Sequence, residues 1–318
     1  MHGDVRTEVR HTAIREYPAR RWGPTAVVVR GAESFPFTYG QLRARSAGSG
    51  LVSVSPARFP APRPPKRKRT NTRPPRTHES RSVAVLLRLP TTVSEAQEYL
   101  AEGAVPVGGA TLVWATWQRE GFPPLAMSLR ELPEANVLGR DTVGGAVVLH
   151  RVDDRVPDVL RLAAGAVGTG AVRRTATVGG NLVGSTLRCL LPAALVLDAR
   201  ATVLEPDGIR ETDLAEVVAK RPVLLSLHWR EPVACAYRKL DAEAGGPPPL
   251  VVASAVHGDA AGERLRVAVR DGYEVTDGSA PCAAGAEEVL RALRATALGD
   301  LPDAAWEAVR AQVTGLLG

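Results

Sequence analysis

Two adjacent glycines and a carboxamide, Gly179, Gly180 and Asn181, close a β-branched run that starts at Val172, and they constrain the chain more than any other feature. Glycine has no Cβ, so a pair can turn backbone N–H groups toward a bulky anion, and a carboxamide beside them can orient one of its oxygens. Such donors suit a dinucleotide diphosphate. The pair by itself is a weak signal, because 30 glycines in 318 residues give roughly three adjacent pairs by chance and the chain holds four. The surrounding residues have to decide. Upstream, the apolar Val105, Pro106 and Val107 lead into Gly108 and Gly109, followed by Ala110, Thr111 and Leu112. This reads as a strand, a tight turn and a helix opening at Thr111, which is a second set of anion-binding amides.

With these residues in view, the chain resembles the FAD-binding subunits and domains of the molybdenum hydroxylases, the carbon monoxide dehydrogenase and xanthine dehydrogenase type. The first phosphate motif of that family, roughly Ala-Gly-Gly-Thr-Asp/Asn-Leu, aligns with residues 107–112. Its second, roughly Val-Arg-Asn-x-Ala-Thr-Ile-Gly-Gly-Asn, aligns with residues 172–181. Residues 190–199 look like the helix after the second motif. Tyr237, Arg238, Lys239 and Leu240, followed by 249–255, look like the family's C-terminal domain. The likeness runs from Val83 to the end of the chain.

The resemblance implies an α+β protein: a two-lobed FAD-binding fold of the molybdopterin dehydrogenase flavoprotein type with a C-terminal α+β domain. It places an FAD-binding domain at 83–233, with lobes at about 83–137 and 138–233, and a flavoprotein domain at 234–318. FAD is the implied cofactor. The implied contacts are Val107, Gly108, Gly109, Ala110, Thr111 and Leu112 from the first motif, and Thr177, Gly179, Gly180, Asn181, Ser185 and Thr186 from the second. Asn181 and the Ser185 or Thr186 hydroxyl are the expected side-chain donors. The implied role is electron transfer from an iron–sulfur partner through FAD to a terminal acceptor, beside a molybdopterin-binding subunit, with no catalytic acid or base in this chain. Two alternatives stand beside it: a stand-alone flavin oxidase or dehydrogenase of a biosynthetic pathway, and a structural subunit with weak FAD binding.

Departures from the family pattern cluster in the same stretches. Ala110 and Thr111 replace Thr and Asp/Asn, and Arg174 stands where Asn is common. The family's Ser-Pro-x-x-Asp is shortened to Ser185, Thr186, Leu187, Arg188 and Cys189, so Cys189 falls about where the aspartate belongs. These changes imply altered contacts near the diphosphate. Arg173 and Arg174 read equally as solvent-facing charges or as phosphate partners.

Charge is uneven along the chain. The formal net charge is +6, yet residues 1–50 carry +4, residues 51–81 carry +8 and the remainder nets −6. The basic character therefore belongs to the N-terminal quarter and does not describe a nucleic-acid groove in the body. Residues 51–82, with prolines around Lys66, Arg67, Lys68 and Arg69, read as a disordered or extended linker. Residues 1–50 form a poorly defined segment. Within it, 25–47 is similar to the opening of adenylate-forming domains but holds neither their phosphate loop nor their catalytic lysine.

Cys189, Cys235 and Cys282 include no Cys-x-x-Cys pair, so the chain does not itself ligate an iron–sulfur cluster, and the thiols read as apolar fillers. The six histidines show no metal-ligand spacing. No apolar run approaches the roughly 18 residues of a membrane span, and the polar N-terminus lacks a signal-peptide core. A cytoplasmic protein without membrane or nucleic-acid partners is expected.

Overall fold

The computed structural model describes residues 84–241, 245–260, 262–282 and 285–318, together with two short strands, β1 (Arg15–Glu16) and β2 (Val27–Val28). The expected linker, and the rest of the expected N-terminal segment, lie outside the described residues.

The first lobe runs β3 (Ala84–Arg88), α1 (Val93–Ala101), β4 (Val105–Pro106), α2 (Val113–Glu120) and β5 (Leu125–Met127). β5 lies between β3 and β4 and is parallel to both, with Leu86 opposite Leu125 and Val105 opposite Ala126. Parallel neighbours need crossover connections, and α1 and α2 supply them. β1 and β2 extend this sheet from the β3 edge in antiparallel pairing. α1 starts at a capped residue: the Thr92 hydroxyl accepts the Glu95 N–H at 3.2 Å. The Glu95 carboxylate reaches back to accept the Thr91 N–H at 2.7 Å, which closes the cap from the other side. Gly103, with φ of +84°, ends the turn after the helix.

The second lobe is an antiparallel sheet, β6 (Thr142–Gly144), β7 (Arg200–Glu205), β8 (Gly208–Thr212) and β9 (Val223–His228), in the order β6-β9-β7-β8. Helices α3 (Asp158–Gly165), α4 (Gly170–Arg173), α5 (Leu191–Val196) and α6 (Leu214–Lys220) accompany it. The hairpin return β8 and helix α6 lie between β7 and β9. Both have local causes: Pro206 and Asp207 form the two-residue turn between Glu205 and Gly208, and Asp213 caps α6 by accepting the Glu216 N–H at 2.8 Å.

The C-terminal part is a meander, β10 (Ala234–Lys239), β11 (Val251–Asp259), β12 (Gly262–Asp271) and β13 (Glu274–Pro281), followed by α7 (Ala286–Arg294) and α8 (Asp303–Leu317). β13 is a further strand that the sequence pattern did not reveal. Alternation sends successive side chains to opposite faces of this sheet. Val252, Val256, Val267 and Val269 pack in one core with residues of α7 and α8, while Ala253, Ala255 and Ala268 belong to the core of the second lobe. The small alanines let α5 lie close against β11 and β12. Gln312 of α8 reaches into the sheet and donates to the Ser254 hydroxyl at 2.9 Å, so two buried polar groups satisfy each other. One core therefore runs across the 233/234 boundary.

Among the described residues, no helix is long and apolar enough to cross a membrane, and no group of His, Cys, Asp and Glu side chains is placed to hold a metal ion.

Candidate functional site

The two glycine pairs meet in space. A Cβ on Gly109 would lie 1.7 Å from the Thr175 carbonyl oxygen and 2.8 Å from the Ala176 nitrogen, so the first turn rests directly on the backbone leading into the second motif. A Cβ on Gly108 would lie 2.4 Å from the Thr177 hydroxyl. Thr177 is buried between the motifs, and its Oγ1 accepts the Gly180 N–H at 3.1 Å. The motifs are about seventy residues apart in sequence and joined at van der Waals distance by glycines that no larger residue can replace without displacement.

A third pair, Gly144 and Gly145, supports the second. The Gly179 N–H donates to the Gly145 carbonyl at 2.8 Å, and Gly145 in turn donates to Leu225 at 2.6 Å. A Cβ on Gly145 would lie 2.1 Å from the Leu224 carbonyl oxygen. Sequence reasoning passed over this pair, although it is one of the four glycine doublets.

The free donors lie on the first motif. Val107 donates to the Met127 carbonyl, but among the described residues the N–H groups of Gly108, Gly109, Ala110, Thr111 and Leu112 find no acceptor. They precede α2, whose N-terminus has no side-chain cap. α2 begins at Val113, two residues later than the expected Thr111, because Ala110 takes a left-handed conformation with φ of +56° and its carbonyl accepts the Trp114 N–H. Thr111 and Leu112 are exposed. This row of unpaired amides at a helix start is the arrangement that binds phosphate oxygens.

The second motif uses its amides internally. The Gly179, Gly180 and Asn181 N–H groups are bonded to Gly145, Thr177 Oγ1 and the Thr177 carbonyl. Gly180–Gly184 then forms one π-helical turn, closed by Ser185 N–H to the Gly180 carbonyl at 3.1 Å. Such turns recur at functional sites. Asn181 is buried, and its Oδ1 accepts the Leu190 N–H at 2.9 Å, which fixes the start of α5. Its carbonyl end therefore has a structural partner, while its Nδ2, the donor that the sequence reading aims at the diphosphate, has no acceptor among the described residues. The Ser185 hydroxyl accepts the Leu187 N–H at 3.2 Å, and Thr186 is exposed beside it. Arg173 donates to the Val167 and Gly168 carbonyls and so closes the loop before α4, while Arg174 is exposed.

The loop at 185–190 is flanked by cations. Arg188, with φ of +39°, donates to the Val218 carbonyl at 3.5 Å. Arg270 of β12 donates to the Leu187 carbonyl at 3.3 Å. Among the described residues, neither has a carboxylate partner. Nearby Tyr237 is held protonated: burial, with the Cys189 charge adding to it, pushes its phenol up to about 12, against the opposing effect of Arg270. The site thus combines unpaired amides, close-packed glycines, hydroxyls and positive charge, and it contains no acid–base pair.

Residues 83–226 match the family of the FAD binding domain in molybdopterin dehydrogenase. Solved structures with a similar fold include a chain of carbon monoxide dehydrogenase from Hydrogenophaga pseudoflava, at 16% identity, TM-score 0.57, covering 73% of this chain and 96% of that one. A chain of quinoline 2-oxidoreductase from Pseudomonas putida 86 matches at 16% identity and TM-score 0.55, covering 74% and 95%. A chain of carbon monoxide dehydrogenase from Oligotropha carboxidovorans matches at 15% identity and TM-score 0.57, covering 72% and 95%. No curated protein matches the chain by sequence.

Proposed function

We propose, from a chain whose residues 83–226 are an FAD-binding domain of the molybdopterin dehydrogenase type, that it is the FAD-binding subunit of a multi-subunit oxidoreductase. In this reading it takes electrons from an iron–sulfur partner and passes them through FAD to a terminal acceptor, beside a molybdopterin-binding subunit. The observation that carries the reading is the seat of Gly109 on Thr175, which brings the free amides of Gly108, Gly109, Ala110, Thr111 and Leu112 beside the second motif.

The residues present fit the cofactor's diphosphate. The amides after Val107 would hold the phosphate oxygens, with Thr177, Gly179 and Gly180 shaping the opposite wall. The Ser185 and Thr186 hydroxyls would donate from the loop beyond. Asn181 contributes by holding that loop to the start of α5. FAD, when bound, supplies a centre that accepts electrons singly and delivers them in pairs. The protein's part is to bind, orient and tune electrostatically, and the positive charge of Arg188 and Arg270 behind the loop favours an anionic ligand.

The test is an absorption spectrum of the purified protein before and after FAD is added and the excess removed. Flavin bands that stay with the protein support the reading. A colourless protein that cannot be loaded overturns it in favour of a structural subunit. Co-purification with iron–sulfur and molybdenum-containing chains tests the electron-transfer part, whereas substrate-dependent flavin bleaching by the isolated chain would favour a stand-alone enzyme.

A further inference from the structure

The two helices of the first lobe, α1 with nine residues and α2 with eight, are held in different ways. α1 starts at the Thr92 cap and sends Ala96 fully into the core, with Val93, Tyr99 and Leu100 packed around it. α2 has neither support. Leu112 precedes it without a side-chain cap, none of its residues is buried, and none joins a hydrophobic core among the described residues. Its aromatic residues pack locally instead: the Trp114 and Trp117 rings lie 5.2 and 6.0 Å from that of Phe122, centre to centre, just past the Gly121 that ends the helix.

A helix held in this way is marginal. The first turn fixes several dihedral angles for one hydrogen bond, so isolated helices shorter than about 12–15 residues barely form in water, and packing of an apolar face supplies most of a helix's stability in a protein. The turn leading into α2 adds strain, because Ala110 stands at φ of +56°, which an L-residue with a Cβ disfavours. Two things are absent at this end among the described residues. The N–H groups of Gly108, Gly109, Ala110, Thr111 and Leu112 have no acceptor, and no acidic residue in the first turn offsets the positive end of the helix. A diphosphate supplies both.

We propose that α2 is ordered by the cofactor: the FAD diphosphate completes its N-terminus, and without that anion residues 110–121 exchange between helix and coil while α1 and the sheet stay folded. The inference rests on the reading of residues 108–112 as the diphosphate seat. Binding and helix formation are then one equilibrium, and the apparent affinity for FAD is the intrinsic one reduced by the fraction of molecules in which α2 is formed. A substitution that weakens the helix therefore weakens binding even where it touches no part of the cofactor.

The test is hydrogen exchange of the full-length protein with and without FAD, read by peptide mass spectrometry, with binding followed in parallel by flavin fluorescence. Without FAD, the amides from Trp114, which bonds to Ala110, to Gly121, which bonds to Trp117, are expected to exchange within about tenfold of an unfolded chain, and those of α1 at least about a hundredfold slower. FAD at about a hundred times its Kd should slow the α2 amides at least tenfold. Gln118 is exposed near the far end of α2, and Gln118→Gly should lower FAD affinity about fivefold, the cost of glycine in a marginal helix. Glu98→Gly, the same kind of change at an exposed position of α1, should lower Tm and leave FAD affinity within about twofold. If FAD binds but the α2 amides are already as protected as those of α1 without it, the ordering is overturned and the diphosphate seat stands. A folded Gln118→Gly protein that binds FAD like the wild type overturns the ordering equally. If FAD does not bind at all, the diphosphate seat itself fails and the ordering falls with it.

Discussion

Replacing Gly109 by alanine tests the contact on which the site is built. The added Cβ would start 1.7 Å from the Thr175 carbonyl oxygen, and real Cβ contacts essentially never fall below 3.0 Å, so the turn must retreat by about 1.3 Å. The obstacle is backbone, which has no alternative rotamer. Overpacking of this kind costs 1–3 kcal/mol, and a clash with main chain belongs at the upper end, about 3 kcal/mol. For a folded body of this size that lowers Tm by roughly 6–12 °C. The retreat also carries the free amides away from the second motif. Loss of one charge-assisted amide–phosphate bond removes about 1.5–3 kcal/mol, or roughly ten- to a hundredfold in FAD affinity. Thermal unfolding by circular dichroism reads the first effect and flavin fluorescence titration the second. Gly184→Ala is the control, because its Cβ would meet nothing within 4 Å, and it should melt within about 2 °C of the wild type. A Gly109→Ala protein that melts with that control and binds FAD as the wild type does would refute the reasoning.

Asn181→Asp keeps the acceptor for the Leu190 N–H but brings a negative charge to the second motif, so Tm should hold while FAD affinity falls; Asn181→Ala should lower Tm as well, by an amount matching about 1–2 kcal/mol for a lost cap. The Glu216 carboxyl is held well below its usual 4.5, first by the Arg210 guanidinium and then by Lys220 and the Thr212 hydroxyl. Its contribution is fully present above about 4.5 and is lost as pH falls through the lower folded value, so Glu216→Gln should melt below the wild type at neutral pH and the gap should close in acid. Arg221 ends α6 in a left-handed conformation with φ of +53°, and Arg221→Gly should raise Tm by an amount corresponding to about 1 kcal/mol, measured by calorimetry.

Much of the molecule was legible because its signals are local. Thr92 and Gly103 bound α1, the largely apolar run at 223–228 forms β9, and Gly108, Gly109, Gly179 and Gly180 mark the two turns of the site. β8 and α6 carry local signals too, the Pro206 and Asp207 turn and the Asp213 cap, and reading those would have found them. β13 gives no such help: Asp277, Gly278 and Ser279 are poor strand formers, and it is pairing with β12 that makes them a strand.

The sequence by itself determined where glycine is required and which residue types gather around a dinucleotide site. Only the tertiary structure decided how the donors are divided, because that depends on acceptors far away in the chain. Gly145 and Thr177 occupy the amides of the second glycine pair, while those of the first find no acceptor among the described residues. Asn181 faces Leu190 for the same reason: the start of α5 lies within reach of its carbonyl. No local pattern announces that Cys189, read as an apolar filler, lies against an arginine 81 residues away. The pairing arises because α5 lies on β12 in a register that gives each end of the helix one guanidinium, and a spacing of that kind exists only after the chain has folded.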